Sequence, residues 1–499
     1  MYWIACHFPR LPLETFLRGL PSSVSASRSL AIVDDGAVLM CNEHAQARGI
    51  RRGISLSTAH ALVPQLETKR RDPALEAATL ARLAAWCGQF TPNVAPDSAG
   101  FCLLDVGGSL RLFDGITSII SELRKGFSDL GFSAVVAAAP TARGAQLLAR
   151  AGREIAIGTL QDLAVELGKL AVHTLDCTPA TFATLRAVGV NTLADCLRLP
   201  RSGLARRCGQ PLLDDLDRAL GRLPDPRKFF VPPERFTAKL ELPAEVEHAE
   251  ALLFAVRRLL VELSGFLAAR AGGVQRITLG LLHGDAPDTN IAIGLSAPGR
   301  DVTRLSLLAG ERLTRVTLKQ PVRAITLCAN EIVPLPGRSL GLFRDGNETD
   351  DRARLIERLR ARLGPDAVYG ITVHPDHRPE RAWHCCEPGA TFTVHASALK
   401  LSRTAELRKK RPAPKTSSNA FRPVWLLRKP RLLSENGGAP QFDGPLVLLS
   451  GPERLEAGWW DGADIARDYF IARTPGKSLL WVYRQRREPA GWYLHGIFG

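Results

Sequence analysis

The chain has 499 residues, of which 45% are hydrophobic and 23% are charged, and its net charge is +15. This composition excludes an intrinsically disordered chain, and the length allows several domains that each bury a core. The positive charge favours an acidic partner, foremost nucleic acid, although an arginine-rich proteome alone could produce the same excess. The ten cysteines are scattered and form no CxxC pair, so we expect reduced thiols and no metal site.

The first residues show no signal-peptide pattern, and no segment approaches the ~18 apolar residues that a membrane span needs. We therefore expect a cytoplasmic, nucleoid-associated protein without a membrane partner.

Short strands and helices alternate over the first 150 residues. The patterns predict strands at 1–8, 101–106, 110–113 and 133–139, a hairpin at 30–40 that turns at 34–36, and helices at 57–66, 73–90, 116–130 and 141–150. This order predicts an α+β layer whose sheet is covered on one side.

A helical region and a second sheet follow. Residues 165–223 have helical patterns throughout, and within them Gly189 ends one helix while Thr192 caps the next. That string resembles half of a helix-hairpin-helix, which holds phosphates, but simple helix packing explains it equally well. Residues 236–333 show the order βαββαβ, which predicts a four-stranded sheet with two helices on one face.

The last third of the chain changes character. A charged helix is predicted at 350–363, and the stretch 400–431 carries eleven Lys and Arg residues against Glu406, as in an exposed linker. Beyond residue 420 the chain becomes rich in Trp and Tyr, and strands at 479–487 and 491–499 predict a small antiparallel module.

These features together resemble the Y-family translesion DNA polymerases and, within that family, the polymerase-like accessory proteins of bacterial SOS mutagenesis. The strings that carry the resemblance are FPRLPLE (8–14), DVGGSLRLF (105–113), DAVYGI (366–371), DHRPERAW (376–383), GPERLEAGWWDG (451–462), RDYFIAR (467–473), LWVYR (480–484) and WYLHGIF (492–498).

The resemblance implies a multidomain α+β fold of Y-family type with a C-terminal β-rich module. The implied domains are a palm (1–24 and 76–164), fingers (25–75), a helical thumb (165–231), a βαββαβ little finger (236–335), a region with a clamp motif and a basic linker (336–420) and a partner-binding module (421–499).

The family comparison also implies that the catalytic carboxylates are missing. Active relatives carry D-x-D nine and seven residues before a Glu that matches Glu14, and those positions here are Ala5 and His7. Aligning their second motif, S-x-D-E-x-Y-x-D, on Asp105 places Gly100 and Phe101 at its central carboxylates. Two-metal catalysis needs carboxylates that clamp Mg²⁺. We therefore expect no catalytic residue, no metal and no cofactor.

The positions that would bind a nucleotide have also lost their functional groups. Active fingers carry the pattern N-Y-x-A-R, whose Tyr and Arg align with Glu43 and Gln46. The two lysines of the palm pattern P-T-K-x-x-A-K align with Ala142 and Gln146. The resemblance thus predicts no triphosphate site.

Basic residues and a short peptide indicate macromolecular partners. The candidate contacts to DNA phosphates are Arg51, Arg52, Arg257, Arg258, Lys319 and Arg323. Ser339, Leu340, Gly341, Leu342 and Phe343 resemble the family's clamp-binding pentapeptide Q-L-S-L-F, with Ser in place of Gln; an ordinary strand edge is the alternative.

The leading hypothesis is a non-catalytic adapter in SOS-induced, error-prone translesion synthesis and DNA repair. By resemblance, its partners would be damaged or primed DNA, the β sliding clamp, the protein ImuA and an error-prone C-family polymerase. The alternatives are an active Y-family polymerase with unusual metal ligands, such as Asp97, Asp105 or Glu14, and a structural DNA-binding protein.

Overall fold

The computed structural model describes residues 1–20, 27–284, 286–318, 320–335, 347–364, 366–374, 376–386, 388 and 422–499. It divides into two compact units, Met1–Gly364 and Pro365–Gly499. The pentapeptide 339–343, Lys319 and most of the basic stretch 400–431 lie outside the described residues. Within the described ranges, no helix is long and apolar enough to cross a membrane.

The first unit mixes strands and helices along its whole length. In chain order, its strands are β1 (Trp3–His7), β2 (Leu30–Asp34), β3 (Ala37–Cys41), β4 (Glu67–Arg70), β5 (Val94–Asp97), β6 (Phe101–Asp105), β7 (Val135–Ala139), β8 (Phe236–Val246), β9 (Gly272–Leu282), β10 (Thr289–Gly299), β11 (Val322–Ala329) and β12 (Val333–Pro334). Its helices are α1 (Leu11–Leu17), α2 (Glu43–Ala47), α3 (Leu56–Leu62), α4 (Pro73–Cys87), α5 (Ile116–Leu130), α6 (Ala142–Arg150), α7 (Leu160–Gly168), α8 (Pro179–Ala187), α9 (Leu193–Arg198), α10 (Arg201–Cys208), α11 (Gln210–Ala219), α12 (Leu253–Ala268), α13 (Val302–Leu313) and α14 (Asn347–Leu363).

The first sheet has the strand order β5-β6-β1-β7, and every neighbouring pair is antiparallel. Ile4 and Cys6 of β1 belong to a core with α4 and α5, whereas Trp3 and Ala5 pack toward α6 and the helices after it. The prediction of a sheet covered on one side is therefore wrong. The strands are apolar at successive positions, so both faces must be buried.

A smaller sheet, β3-β2-β4, lies between α1 and α4 in the chain, and β2 pairs with β4 in parallel. The predicted hairpin is confirmed at β2 and β3. Asp35 and Gly36 take positive φ angles of 47° and 77° at its turn, which suits Asp and Gly. The buried residues Ala31, Val38 and Ala45 give this layer its own core.

Helices α7 to α11 follow without an intervening strand, as the sequence predicts. Thr192 caps α9 in a capping box with Asp195, and Gly189 has a φ of 77° after α8.

The third sheet of this unit has the order β10-β9-β11-β8, with β12 paired to β9, and helices α12 and α13 pack in its core. The order β8-α12-β9-β10-α13-β11 confirms the predicted βαββαβ arrangement. Helix α14 packs beside this layer, where Glu357 is buried. Its carboxylate accepts hydrogen bonds from Ser296 N at 2.6 Å, Ser296 Oγ at 2.7 Å and Arg304 Nε at 2.7 Å.

Helix α12 also packs against α4 and α5. The β10-β9-β11-β8 sheet layer and the β5-β6-β1-β7 sheet layer therefore share a buried interface. The indole of Trp86 is wedged there between two glycines. A Cβ on Gly126 would lie 2.1 Å from one end of the ring, and a Cβ on Gly265 would lie 2.2 Å from the other. Beside it, Glu262 accepts a hydrogen bond from Arg18 Nη2 at 3.1 Å and lies 3.3 Å from Arg82 Nε.

The second unit is mainly β-structure. Its strands are β13 (Gly370–Val373), β14 (Trp383–Cys386), β15 (Trp425–Leu432), β16 (Ser434–Asn436), β17 (Ala439–Gln441), β18 (Val447–Ala457), β19 (Ile465–Arg473), β20 (Leu479–Gln485) and β21 (Gly491–Ile497). A five-stranded sheet has the order β15-β21-β20-β19-β18, and β13-β14 and β16-β17 form two-stranded ribbons. The predicted α+β fold class with a β-rich C-terminal part is confirmed.

Several local predictions need correction. Residues 110–113 form turns rather than a strand, and β4 and β5 were not predicted. The stretch 400–431 is not a linker to its end, because β15 begins at Trp425. Residues 366–386 lie in the second unit together with the tail, and the finer domain bounds within each unit stay a prediction.

Candidate functional site

The strands that would carry catalytic carboxylates are β1 and β6, which lie side by side. Ala5 pairs with Leu103, and His7 pairs with Phe101. Ala5 and Phe101 are fully buried. The aligned positions on these neighbouring strands thus carry a methyl group, an imidazole and a phenyl ring, and none of them offers a carboxylate oxygen.

The end of this strand pair is covered by two stacked rings. The rings of His7 and Phe101 lie 4.3 Å apart with an angle of 12° between their planes. The guanidinium of Arg150 lies 5.4 Å from the centre of the Phe101 ring. Burial, followed by the charge of Arg150, lowers the pKa of His7 to about 4, so the imidazole is neutral near pH 7.

Gly100 lies in a turn just before β6. Its φ is 82°, and its carbonyl oxygen accepts a hydrogen bond from Phe8 N at 2.8 Å. This left-handed conformation favours glycine, so an aspartate here would be strained.

The two fingers positions lie on α2, where Asn42 caps the helix. The Glu43 carboxylate is exposed and lies 3.5 Å from Arg10 Nη1. The carbonyl oxygen of Gln46 accepts a hydrogen bond from Arg51 Nη1 at 2.9 Å. An exposed carboxylate at position 43 would repel a triphosphate.

The two palm positions lie on α6. Ala142 is buried, and Gln146 is part of a polar chain that crosses this region. Gln146 Nε2 donates to Asp97 Oδ2 at 3.0 Å, Arg143 Nη1 donates to Gln146 Oε1 at 3.0 Å, and Arg143 Nη2 donates to Asp215 Oδ2 at 2.7 Å. The groups that would meet a phosphate are hydrogen-bonded to each other instead.

This polar chain forms one wall of a cleft of about 610 Å³. The charged residues that line the cleft are Asp97, Arg143, Asp176, Asp215, Arg218, Asp225 and Arg227. Carboxylates and guanidiniums are nearly balanced, so the cleft presents no strong positive field to a nucleotide. The sequence analysis did not identify Arg143 and Asp215 as residues of this cleft. For Arg143 a signal was present, because it is a basic residue between the two positions, 142 and 146, at which active relatives carry lysine.

The carboxylates considered as unusual metal ligands lie apart. Asp97 pairs in register with Phe101, whereas Asp105 lies at the opposite end of β6 and pairs with Trp3. Glu14 is buried in α1 and bonded to the backbone N–H and the hydroxyl of Ser133. Burial raises the pKa of Glu14. Over the residues that the structure describes, no group of three or more His, Cys, Asp or Glu could hold a metal ion.

The predicted DNA contacts differ in their availability. Arg51, Arg52 and Arg257 are exposed, and Arg323 is exposed but paired with Glu245 at 2.7 Å. Arg258 instead points inward: its guanidinium donates to the carbonyl of Arg18 and lies 4.2 Å from the Phe254 ring centre. Burial lowers the pKa of Arg258 to about 10.

Comparisons with known proteins agree with the resemblance. Residues 11–150 match the impB/mucB/samB family. Protein ImuB of Caulobacter vibrioides is 28% identical over 466 residues, which cover 90% of this chain and all of the relative. DNA polymerase IV 2 of Mesorhizobium japonicum is 25% identical over 72% of this chain and 89% of its own length.

Two solved structures have a similar course of the chain. One is a ternary complex of Dbh, and the other is DinB from Sulfolobus solfataricus. Both are 16% identical and cover 67% of this chain, with TM-scores of 0.39 and 0.37 and coverage of 100% and 99% of the respective chains.

The chain is therefore ImuB-like: it is similar to protein ImuB over nine-tenths of its length, and its residues 11–150 match the impB/mucB/samB family.

Proposed function

We propose that this chain is a non-catalytic adapter for error-prone translesion synthesis in the SOS response. It binds primed or damaged DNA through a polymerase-shaped body, binds the sliding clamp, and recruits an error-prone C-family polymerase together with ImuA. The likeness to ImuB and the impB/mucB/samB segment support the translesion role.

The observation that carries the non-catalytic part is the His7–Phe101 ring stack beside Arg150. Two-metal catalysis needs carboxylate oxygens where the attacking and leaving oxygens meet. Here the aligned positions offer an aliphatic side chain, a glycine, a phenyl ring and a neutral imidazole. The positive charge of Arg150 adds repulsion against a divalent cation.

DNA binding is supported by the exposed arginines at 51, 52 and 257, with Arg323 as a weaker candidate because of Glu245. Contacts of this kind release counterions, so the affinity should fall steeply with salt. Arg258 does not belong to this set, because its guanidinium is engaged inside the protein.

The clamp contact would be made by Leu340, Leu342 and Phe343 of the pentapeptide, through apolar anchors in a pocket. A matched control exists in this chain: Leu355 and Leu359 of α14 are exposed apolar residues outside the motif. Leu342→Ala/Phe343→Ala should abolish clamp binding, whereas Leu355→Ala/Leu359→Ala should leave it unchanged. Equal clamp affinity of wild type and the first variant would reject the motif.

An active polymerase is the second candidate, since two similar relatives are named DNA polymerase IV. Primer extension by the purified chain with Mg²⁺ or Mn²⁺ separates the two functions. The adapter hypothesis expects no template-dependent incorporation under conditions in which a Y-family polymerase extends the same primer. Incorporation by the wild-type chain that is lost in an Asp97→Ala/Asp105→Ala variant would establish the enzyme instead.

A further inference from the structure

The loop 458–464, which joins β18 to β19, presents two adjacent tryptophans at the surface. Trp459 is 80% exposed and Trp460 is 56% exposed. Their rings lie 5.6 Å apart and nearly perpendicular. Such exposure is costly in water and is typical of a residue that another surface covers.

The loop is held in place by a buried arginine. Arg378 is 2% exposed and donates from Nη1 and Nη2 to Asp461 at 3.0 and 2.7 Å. Arg378 Nη1 also donates to Ala463 O at 3.0 Å, and its guanidinium lies 5.6 Å from the centre of the Trp460 ring. The tryptophans are thus pre-organised, which reduces the entropy lost on binding.

A glycine allows this packing. Gly458 has a φ of 90°, and a Cβ there would lie 2.5 Å from both Ala463 O and Arg378 Nη1. A side chain at this position would push the loop away from Arg378, so the close approach depends on glycine.

The charges beside the tryptophans cancel. Arg378 and Arg381 share Asp461, Arg378 also binds Asp376, and Arg487 pairs with Asp464. Single-stranded DNA would need a net positive surface here. A neutral, rigid pair of tryptophans instead complements an uncharged, apolar pocket on a protein, where tryptophan is a frequent hot-spot residue.

We infer that Trp459 and Trp460 are the central anchors by which the second unit binds a protein partner with an uncharged apolar pocket. Two side chains cover less area than a stable interface needs, so neighbouring surface must complete the contact. The inference rests on the proposed adapter function, and it assigns the recruiting contact to this loop.

The test uses the full-length chain and the two proteins proposed as partners, the C-family polymerase and ImuA, in separate titrations. Trp459→Ala/Trp460→Ala should weaken at least one complex by about thirtyfold or more. Trp425→Ala is the matched control. This tryptophan is 70% exposed on β15, which is the edge strand opposite β18 in the five-stranded sheet. It should bind as wild type does.

Gly458→Val provides a second variant that keeps both tryptophans but should displace them, with a similar loss of affinity. Equal binding by wild type and the double variant would overturn the inference and leave recruitment intact. If wild type binds neither protein, recruitment itself fails, and the inference fails with it. A variant that loses affinity for a fluorescent oligothymidylate instead would identify a nucleic-acid platform and also overturn the inference.

Discussion

Replacing Glu262 by Gln should loosen the interface at which α12 packs against α4 and α5 in the first unit. Glu262 lies on α12, and its side chain is only 4% exposed. It is the counter-ion of Arg18, which is 1% exposed, and of Arg82, which is 20% exposed. Glutamine keeps the volume of the side chain, so the effect comes from the lost charge and not from a cavity.

The expected cost is large because a guanidinium would remain buried without a partner charge. Removing one member of a buried ion pair typically costs about 3–5 kcal/mol. Two arginines depend on this single carboxylate, and burial already lowers the pKa of Arg18, which indicates a poorly solvated cation. We therefore expect at least about 3 kcal/mol, which corresponds to a rise of ~150-fold or more in the population of opened interface.

Hydrogen exchange of the amides in Leu253–Ala268 is the suitable assay, since it reports local opening and does not require two-state unfolding of a chain with two units. Exchange in α12 should accelerate by about two orders of magnitude in the variant under conditions in which reclosing is faster than chemical exchange, so that the rate reports the opened population. The control is Glu311→Gln, which breaks the exposed pair with Arg358 at 3.1 Å and should change exchange less than about fivefold. If Glu262→Gln behaves like this control, the interface is not held by the buried charge.

Three further predictions follow from packing and protonation. Gly126→Ala should loosen the packing of α5 by about 1–3 kcal/mol, seen as faster hydrogen exchange in Ile116–Leu130, since Trp86 is held on both sides and cannot yield; wild-type protection would contradict this. The pKa of His7 is about 4 when folded and 6.5 ordinarily, so the unfolded chain binds a proton that the folded chain refuses. The contribution of neutral His7 to the free energy of unfolding should be fully present above about pH 6.5 and be lost as the pH falls toward 4. His7→Phe should reduce this loss, and a pH profile of stability equal to that of wild type would refute the prediction. Glu357→Ala should leave Arg304 without its carboxylate and cost about 2–3 kcal/mol, seen as faster hydrogen exchange in α14, whereas unchanged protection would show that α14 is held otherwise.

Local signals explain which elements could be predicted. Helix α5 begins after Gly115 and ends before Gly131, both with positive φ, and its predicted bounds are correct. Residues 110–113 alternate apolar and polar side chains as a strand does, but Asp114 has a φ of 55° and the chain turns there. Strand β4 pairs in parallel with β2, and a contact between segments so far apart in sequence leaves no local trace.

The site shows the same division. The absence of carboxylates at positions 5 and 7 could be seen from the sequence, because it depends only on alignment with a family pattern. The hydrogen-bonded chain from Asp97 through α6 to Asp215 could not, since it joins three separate segments, β5, α6 and α11, through side chains. Arg258 looked like a surface cation, yet the contact with the Arg18 carbonyl depends on how α12 packs against α1.

The contact between Arg378 and Asp461 has a practical consequence for fragments of this chain. A polypeptide that starts near residue 421 would lack the arginine that neutralises Asp461, and with it the β13–β14 ribbon. An isolated C-terminal fragment should therefore start upstream of Asp366. By the same reasoning, a protease cut between residues 386 and 422 would yield two peptides that co-elute, because the ion pairs at Asp461 and Glu380 and the contact of the Arg378 guanidinium with the Trp460 ring join them without the peptide bond.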